Sequence, residues 1–254
     1  MTATQIESTQ DSKLVESQLS TTSEKLHNNL EVGTEKRQEI WGFGQTFNEL
    51  GWQALQSLSE EKRNEILDDL FKPGEGENYR ICRIPVGASD YALNWYSLDE
   101  TPGDYELKDF SIERDKKYLI PYIKAAQKRN PDIVFSASPW SPPTWMKTKP
   151  VYNYGILKHD KKTQQAYANY FVKFIQAYET EGIHISQLFP QNEPQRDQKF
   201  PSCYWTGEEL RDFIKNYLGP TFEKAGLNTD IWLGTINSPL EDTEMTKDET
   251  TDYP

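Results

Sequence analysis

The sequence predicts a parallel α/β domain, and within that class a (β/α)8 barrel in preference to an open doubly wound sheet. Three observations carry this. Five short apolar runs, at residues 39–47, 79–87, 132–140, 185–194 and 229–237, alternate with stretches of helical spacing. Such alternation builds a parallel sheet through right-handed crossovers. Runs such as "DIVFSA" are almost continuously apolar, which fits strands buried on both faces. Polar and aromatic residues gather after the second, third and fourth runs, as in barrels whose sites are assembled at the strand C-termini. A dinucleotide-binding sheet needs a glycine fingerprint at its first strand. "GFGQTF" has only the first two glycines, with Phe47 at the third position.

The elements follow in order. In "EIWGFGQTF", Gly42 and Gly44 suggest close backbone approach. "ELGWQALQSL" and "SEEKRNEILDDLF" read as helices, the second with Ser59 as N-cap and an apolar stripe at Ile66, Leu67, Leu70 and Phe71. "KPGEGEN" stops it. "YRICRIPVG" is the second strand. After a long loop, "SIERDKKYLIPYIKAAQKRNP" reads as one helix whose start resembles a capping box, with Arg114 where an acid is expected. "DIVFSASPW" is the third strand, and the Pro-rich loop after it holds no element. In "KKTQQAYANYFVKFIQAYETEG", Tyr167, Tyr170, Phe171, Phe174 and Tyr178 recur at three or four residues, marking an amphipathic helix. "ISQLFPQNEP" is the fourth strand. "TGEELRDFIKNYLGPTFEKAG" is a helix capped by Thr206, and "TDIWLGTIN" is the fifth strand.

At about 47 residues per unit, eight units need on the order of 380 residues, long for a barrel but plausible with insertions. The acidic tail "SPLEDTEMTKDETTDYP" contains no further strand. The expectation is therefore an incomplete barrel of about five β/α units over residues 36–254. Residues 1–35, rich in Ser, Thr, Gln and Glu and without an apolar core segment, read as a disordered or loosely helical leader and not as a secretory signal.

Composition narrows the function. The chain of 254 residues carries 28 basic and 40 acidic side chains, a formal charge of -12, which argues against a nucleic-acid partner. Its apolar runs are far shorter than the roughly 20 residues of a membrane helix, so no transmembrane segment is expected. Seven Trp and fourteen Tyr hint mildly at stacking on sugar rings. Cys82 lies in an apparent buried strand and reads as packing. Cys82 and Cys203 show no disulfide or metal spacing, and His27, His159 and His184 are scattered, so no metal or organic cofactor is expected.

Among the acids, Glu193 stands out. It ends the fourth run between Asn192 and Pro194, where a barrel would turn its carboxyl into the mouth. Pro194 fixes the turn, and Asn192 can hydrogen-bond a substrate hydroxyl. Glycoside cleavage needs one carboxylic acid to protonate the departing oxygen and a second carboxylate to attack the sugar or activate water. Glu193 supplies half of that. A solvated surface turn is the competing reading of "NEP".

Taken together, "GFGQTFNELGW", "YRICRIPVGASDYALNWYS", "GDYELKDFSIERD", "SASPWSPPTWMKT" and "FPQNEPQ" resemble glycoside hydrolase family 30, the glucosylceramidase family, over roughly residues 38–240. The resemblance implies a (β/α)8 barrel with a small β-sandwich and retaining hydrolysis of β-glycosides, with a carbohydrate or glycolipid as substrate. It makes Glu193 the general acid/base and Asn192 the contact to the sugar 2-hydroxyl. It makes Asp90 a grip on outer hydroxyls, Trp140 a ring at the sugar subsite, and Arg83 a neighbour of the nucleophile. Phe200 and Tyr204 fall near the leaving-group side. Glu49 reads as structural.

The family's nucleophile is a second Glu after a seventh strand, which this sequence does not reach. Two readings follow: part of a retaining β-glycosidase that is inactive by itself, or a non-catalytic, poorly soluble fragment or weak sugar-binding module. The β-1,6-glucan and β-xyloside specificities of the family remain open, as does location, although relatives are often secreted or lysosomal.

Overall fold

The computed structural model describes residues 5–11, 15–17 and 33–237, in two units, Met1–Ile40 and Trp41–Pro254. In the first unit β1 (Gln5–Glu7) pairs antiparallel with β2 (Val15–Ser17), Ile6 opposite Glu16. The leader is extended over these six residues, where disorder or loose helix was expected. Ile6 and Val15, both β-branched, favour that backbone.

The second unit holds α1 (Glu49–Gln56), α2 (Glu60–Phe71), β3 (Ile81–Pro85), α3 (Glu113–Lys117), α4 (Leu119–Gln127), β4 (Val134–Ser138), α5 (Lys161–Thr180), β5 (Ile185–Leu188), α6 (Gly207–Phe213), α7 (Gly219–Ala225) and β6 (Asp230–Ile231). The sheet runs β3-β4-β5-β6, every pair parallel, with Arg83 opposite Ser136 and Leu188 opposite Ile231. The order never reverses. A doubly wound sheet needs a reversal, whereas a barrel wall adds each strand beside the last. Among the described residues no helix is long and apolar enough to cross a membrane.

The run at 39–47 is not a full strand. The Phe47 amide donates to the Arg83 carbonyl and the Arg83 amide to Gln45, both at 2.9 Å, leaving Thr46 as a single bridge. Gly44 explains the closeness: a Cβ there would lie 1.4 Å from the Ile81 carbonyl oxygen. The fifth run pairs only at Asp230–Ile231, then meets the sheet again where Thr235 bridges Asn192. The acidic tail lies outside the described residues.

Caps form as the sequence indicates. Ser59 and Thr206 accept amide hydrogens from Lys62 and Glu209, and Glu209 returns a bond to the Thr206 amide, completing a capping box. Two helices differ from expectation, each because of a proline. The helix expected from Ser111 breaks at Tyr118 into α3 and α4. In one continuous helix the Pro121 ring would clash with the Lys117 carbonyl, whereas the break puts it in the first turn of α4. The helix after Thr206 contains a π turn, Ile214–Leu218, and resumes with Pro220 at its start, where its missing N–H is harmless. The Pro-rich loop after β4 also contains a short 3-10 turn, Thr144–Met146.

The aromatic stripe of α5 is fully buried, and Tyr167 stacks on Phe213 of α6 at 5.6 Å. Arg114 accounts for the broken capping box. It gives Glu49 two bonds of 2.9 Å each, while the Leu93 amide gives a third at 2.7 Å. Glu49 is only 2% exposed, so this ion pair joins α1, α3 and the loop after β3. His159 pairs with Glu209 and His184 with Glu179. Cys82 and Cys203 are free and buried, and burial pushes their thiols up to about 11 and about 12.

Asp115, on α3, is fully buried and accepts hydroxyl hydrogens from Tyr96 and Tyr178, each at 2.7 Å. Burial pushes its carboxyl up to about 6 against the opposing pull of both tyrosines. The folded chain therefore holds this proton more tightly than the unfolded chain. The stabilisation is complete below about pH 4 and is lost as pH rises through 6. Relative to Asp115→Asn, the wild type should lose about 3 kcal/mol between pH 4 and 7.5. Denaturant titrations at several pH values check this, and a pH-independent difference would contradict it.

Gly44→Ala should cost more than about 4 kcal/mol, or prevent folding, because its Cβ meets rigid backbone. A thermal melt near that of the wild type would show that the segment does not press on β3.

Candidate active site

The C-terminal ends of the strands open on a cleft of about 350 Å3. Thr46, Asn48, Arg83, Ser89, Asp90, Tyr91, Trp140, Asn192, Glu193 and Phe200 line it. All five residues singled out in the sequence meet here: Glu193, Asn192, Asp90, Trp140 and Arg83.

Arg83 comes from β3, where its neighbours Cys82 and Ile84 are fully buried. Its guanidinium lies over the Trp140 ring, 4.6 Å from the centroid, a cation–π contact across two strand ends. Burial pulls the guanidinium down from its ordinary value, and the charges of Asp90 and Glu193 push it back up. The buried Arg83 Nε has no protein partner among the described residues. Asp90 follows the turn at Gly87, and the Ser89 hydroxyl accepts the Tyr91 amide at 3.1 Å.

Trp140 is 4% exposed, and its carbonyl accepts a hydrogen from the Gln191 side-chain Nε2 at 2.8 Å. The Asn192 amide then donates to Pro139 at 2.8 Å, and the Glu193 amide to Thr235 at 2.9 Å. The Thr235 hydroxyl donates to Asn192 Oδ1 at 3.0 Å, committing that oxygen and leaving the NH2 as the donor of the side chain.

Glu193 does not follow its strand directly, as the sequence reading had it. β5 ends at Leu188, and Glu193 sits in the loop beyond Pro190. Its φ is +47°, the left-handed region that glycine tolerates and glutamate does not favour. The Arg196 amide donates to its carbonyl at 2.9 Å and the Trp205 amide to that of Pro194 at 2.7 Å, which holds the turn. Gln198 Nε2 reaches its carboxylate at 3.5 Å.

The sequence reading missed the anchor of the far wall. Lys147, 1% exposed, donates to Ser141 Oγ, the Tyr152 carbonyl and the Ser202 carbonyl at 3.2, 3.1 and 2.7 Å. Burial lowers its amine to about 8. These bonds clamp the loop after β4 to the segment carrying Phe200, which lines the cleft; Tyr204 is not among the lining residues. Thr46, Asn48, Ser89 and Tyr91 were missed too. Asn48 left one signal in "FNELG", since it caps α1 by accepting the Gly51 amide at 2.7 Å.

A family model, the glycosyl hydrolase family 30 TIM-barrel domain, matches residues 40–238. The chain belongs to glycosyl hydrolase family 30. A Caenorhabditis elegans protein described as putative glucosylceramidase 3 is 39% identical over 201 residues, 76% of this chain and 38% of that one. The family 30 chain thus spans about two fifths of the length of the curated relatives it matches. A solved endo-β1,6-glucanase superposes with a TM-score of 0.71 at 34% identity, covering 76% of this chain and 43% of that one. SrfJ from Salmonella typhimurium does so with a TM-score of 0.73 at 31% identity, covering 78% and 44%.

The backbone of Glu193 is held against local preference. Glu193→Gly relieves the left-handed strain, so the chain should gain about 1 kcal/mol of stability while losing the carboxyl. Chemical denaturation of both forms checks this; a loss of stability would mean that the side chain holds the turn.

Proposed function

We propose that this chain is part of a retaining β-glycoside hydrolase, with Glu193 as the general acid/base. One observation carries the reading: Glu193, Asn192, Asp90, Trp140 and Arg83, from three strand ends, line one cleft. Glu193 protonates the glycosidic oxygen as a second carboxylate attacks the sugar carbon, and the leaving group departs as an alcohol. Glu193 then takes a proton from water as that water attacks the same carbon and releases the second carboxylate. Asn192 offers its NH2 to the sugar 2-hydroxyl. Asp90 accepts from outer hydroxyls. Arg83 offers its buried Nε–H near the reacting carboxylates, and Trp140, fixed beneath the guanidinium, presents a ring to the sugar.

The nucleophile is assigned to sequence outside the described residues. In retaining enzymes the two carboxyl groups lie about 5–5.5 Å apart. Asp90 is the other acid of the cleft, and it is read here as a sugar contact. The substrate is a β-glucoside, either carbohydrate or glycolipid, in keeping with relatives described as glucosylceramidases and endo-1,6-β-glucanases.

The test uses an aryl β-glucoside with two proteins: this chain alone, and a longer polypeptide containing it. The chain alone should bind a β-glucoside without turning it over. In the longer protein, Glu193→Gln should lower kcat/KM at least about 10²-fold for a poor leaving group, and much less for an activated one that departs without a proton. Turnover by the chain alone that is lost in both Glu193→Gln and Asp90→Asn would overturn this division of roles.

A further inference from the structure

The loops after β3, β4 and β5 carry four large exposed apolar side chains among the described residues: Tyr91, Trp95, Tyr154 and Tyr204. All four are aromatic with a polar edge. Trp95 is 44% exposed, and the reading of the cleft assigns it no role.

Backbone bonds hold the loop that carries it. The Ala88 amide donates to the Tyr96 carbonyl at 3.0 Å, and a Cβ on Gly87 would lie 3.2 Å from that same oxygen. The loop from 88 to 96 therefore closes on itself. That brings Trp95 beside the start of the segment Ser89–Tyr91, which lines the cleft. On its other side the Trp95 ring meets the Tyr152 ring edge-on, centroids 6.5 Å apart. The Tyr152 carbonyl is clamped by Lys147 and also accepts the Ser202 amide at 3.0 Å, two residues beyond Phe200 of the cleft wall. Trp95 is thus exposed, in ring contact with Tyr152, and tied through the bonds of its neighbours to two segments that line the cleft.

We infer that Trp95, backed by Tyr152, is a stacking platform for a second sugar unit, adjoining the cleft on its leaving-group side. This rests on the reading of the cleft as the site of one β-glucosyl unit. The chemistry favours a carbohydrate leaving group over an acyl chain. A pyranose presents C–H bonds from its flat face and hydroxyls at its edge, matching an indole face with polar groups around it. An acyl chain is matched by aliphatic walls, and none of the large exposed apolar side chains of these three loops is aliphatic.

Calorimetry of the whole chain with methyl β-glucoside and with β-linked gluco-oligosaccharides of two to four units tests this. The wild type should bind the disaccharide or trisaccharide roughly tenfold more tightly than the methyl glucoside. Trp95→Ala should abolish that gain and leave methyl glucoside binding unchanged, while Trp95→Phe keeps most of it. An unaltered gain in Trp95→Ala, or no gain in the wild type, overturns the platform. A long-chain alkyl β-glucoside that gains the same Trp95-dependent increment overturns the choice of carbohydrate. If oligosaccharides bind through Trp95 while Asp90→Asn leaves methyl glucoside binding intact, the platform stands and the reading of the cleft fails. If no member of the series binds, both fail.

Discussion

The Asn192 amide donates to the Pro139 carbonyl, and the alignment of the cleft hangs from that bond. It joins the end of one strand-loop unit to the end of the next, beyond the point where the β4–β5 ladder has stopped. Parallel strands bring their C-termini to one side, but they do not say how far past the sheet the chain continues in step. Here it does so for several residues, with Gln191 on Trp140, Asn192 on Pro139 and Glu193 on Thr235. The acid is thus placed by two backbone bonds, and the Trp140 backbone is tied to the same segment by the Gln191 side chain.

Arg83 gives the site its electrostatic centre. One guanidinium lies over the Trp140 ring and within reach of the charges of Asp90 and Glu193. Holding two carboxylates in one small cleft is costly by itself; a cation between them offsets the repulsion. The expense is a partly desolvated arginine whose Nε has no protein acceptor among the described residues. Strain in the Glu193 backbone points the same way, toward a region shaped for something other than its own stability.

Much of this was legible beforehand. Strand–helix alternation identified the parallel sheet, and the stripe from Tyr167 to Tyr178 identified the longest helix. Of the five residues that line the cleft, Glu193 and Asn192 stood out at the end of an apolar run, and Asp90, Trp140 and Arg83 came through the resemblance to family 30. What stayed hidden depends on contacts distant in sequence. Arg114 reads as a fault in a capping box until its partner Glu49, 65 positions earlier, is seen. Lys147 looks like any lysine in a Pro-rich loop, since nothing local announces three acceptors around its amine. Both broken helices contain a proline visible in the sequence, yet the choice between a chain break and a π turn is made by packing. The run at 39–47 has the apolar content of a strand, but it meets β3 in a single bridge, and that Gly44 permits its backbone to press on Ile81 shows only in three dimensions.

Lys147 has a consequence for divergence. Two of its three acceptors are main-chain carbonyls, and the third is the Ser141 hydroxyl. Peptide oxygens are supplied by every residue type, so the clasp is blind to most side chains on the loops it joins. Those loops can exchange residues freely, and with them the shape and polarity they show to a ligand, while the fastening beneath persists. A wall built in this way lets recognition drift under selection without loosening the rim on which the cleft is built.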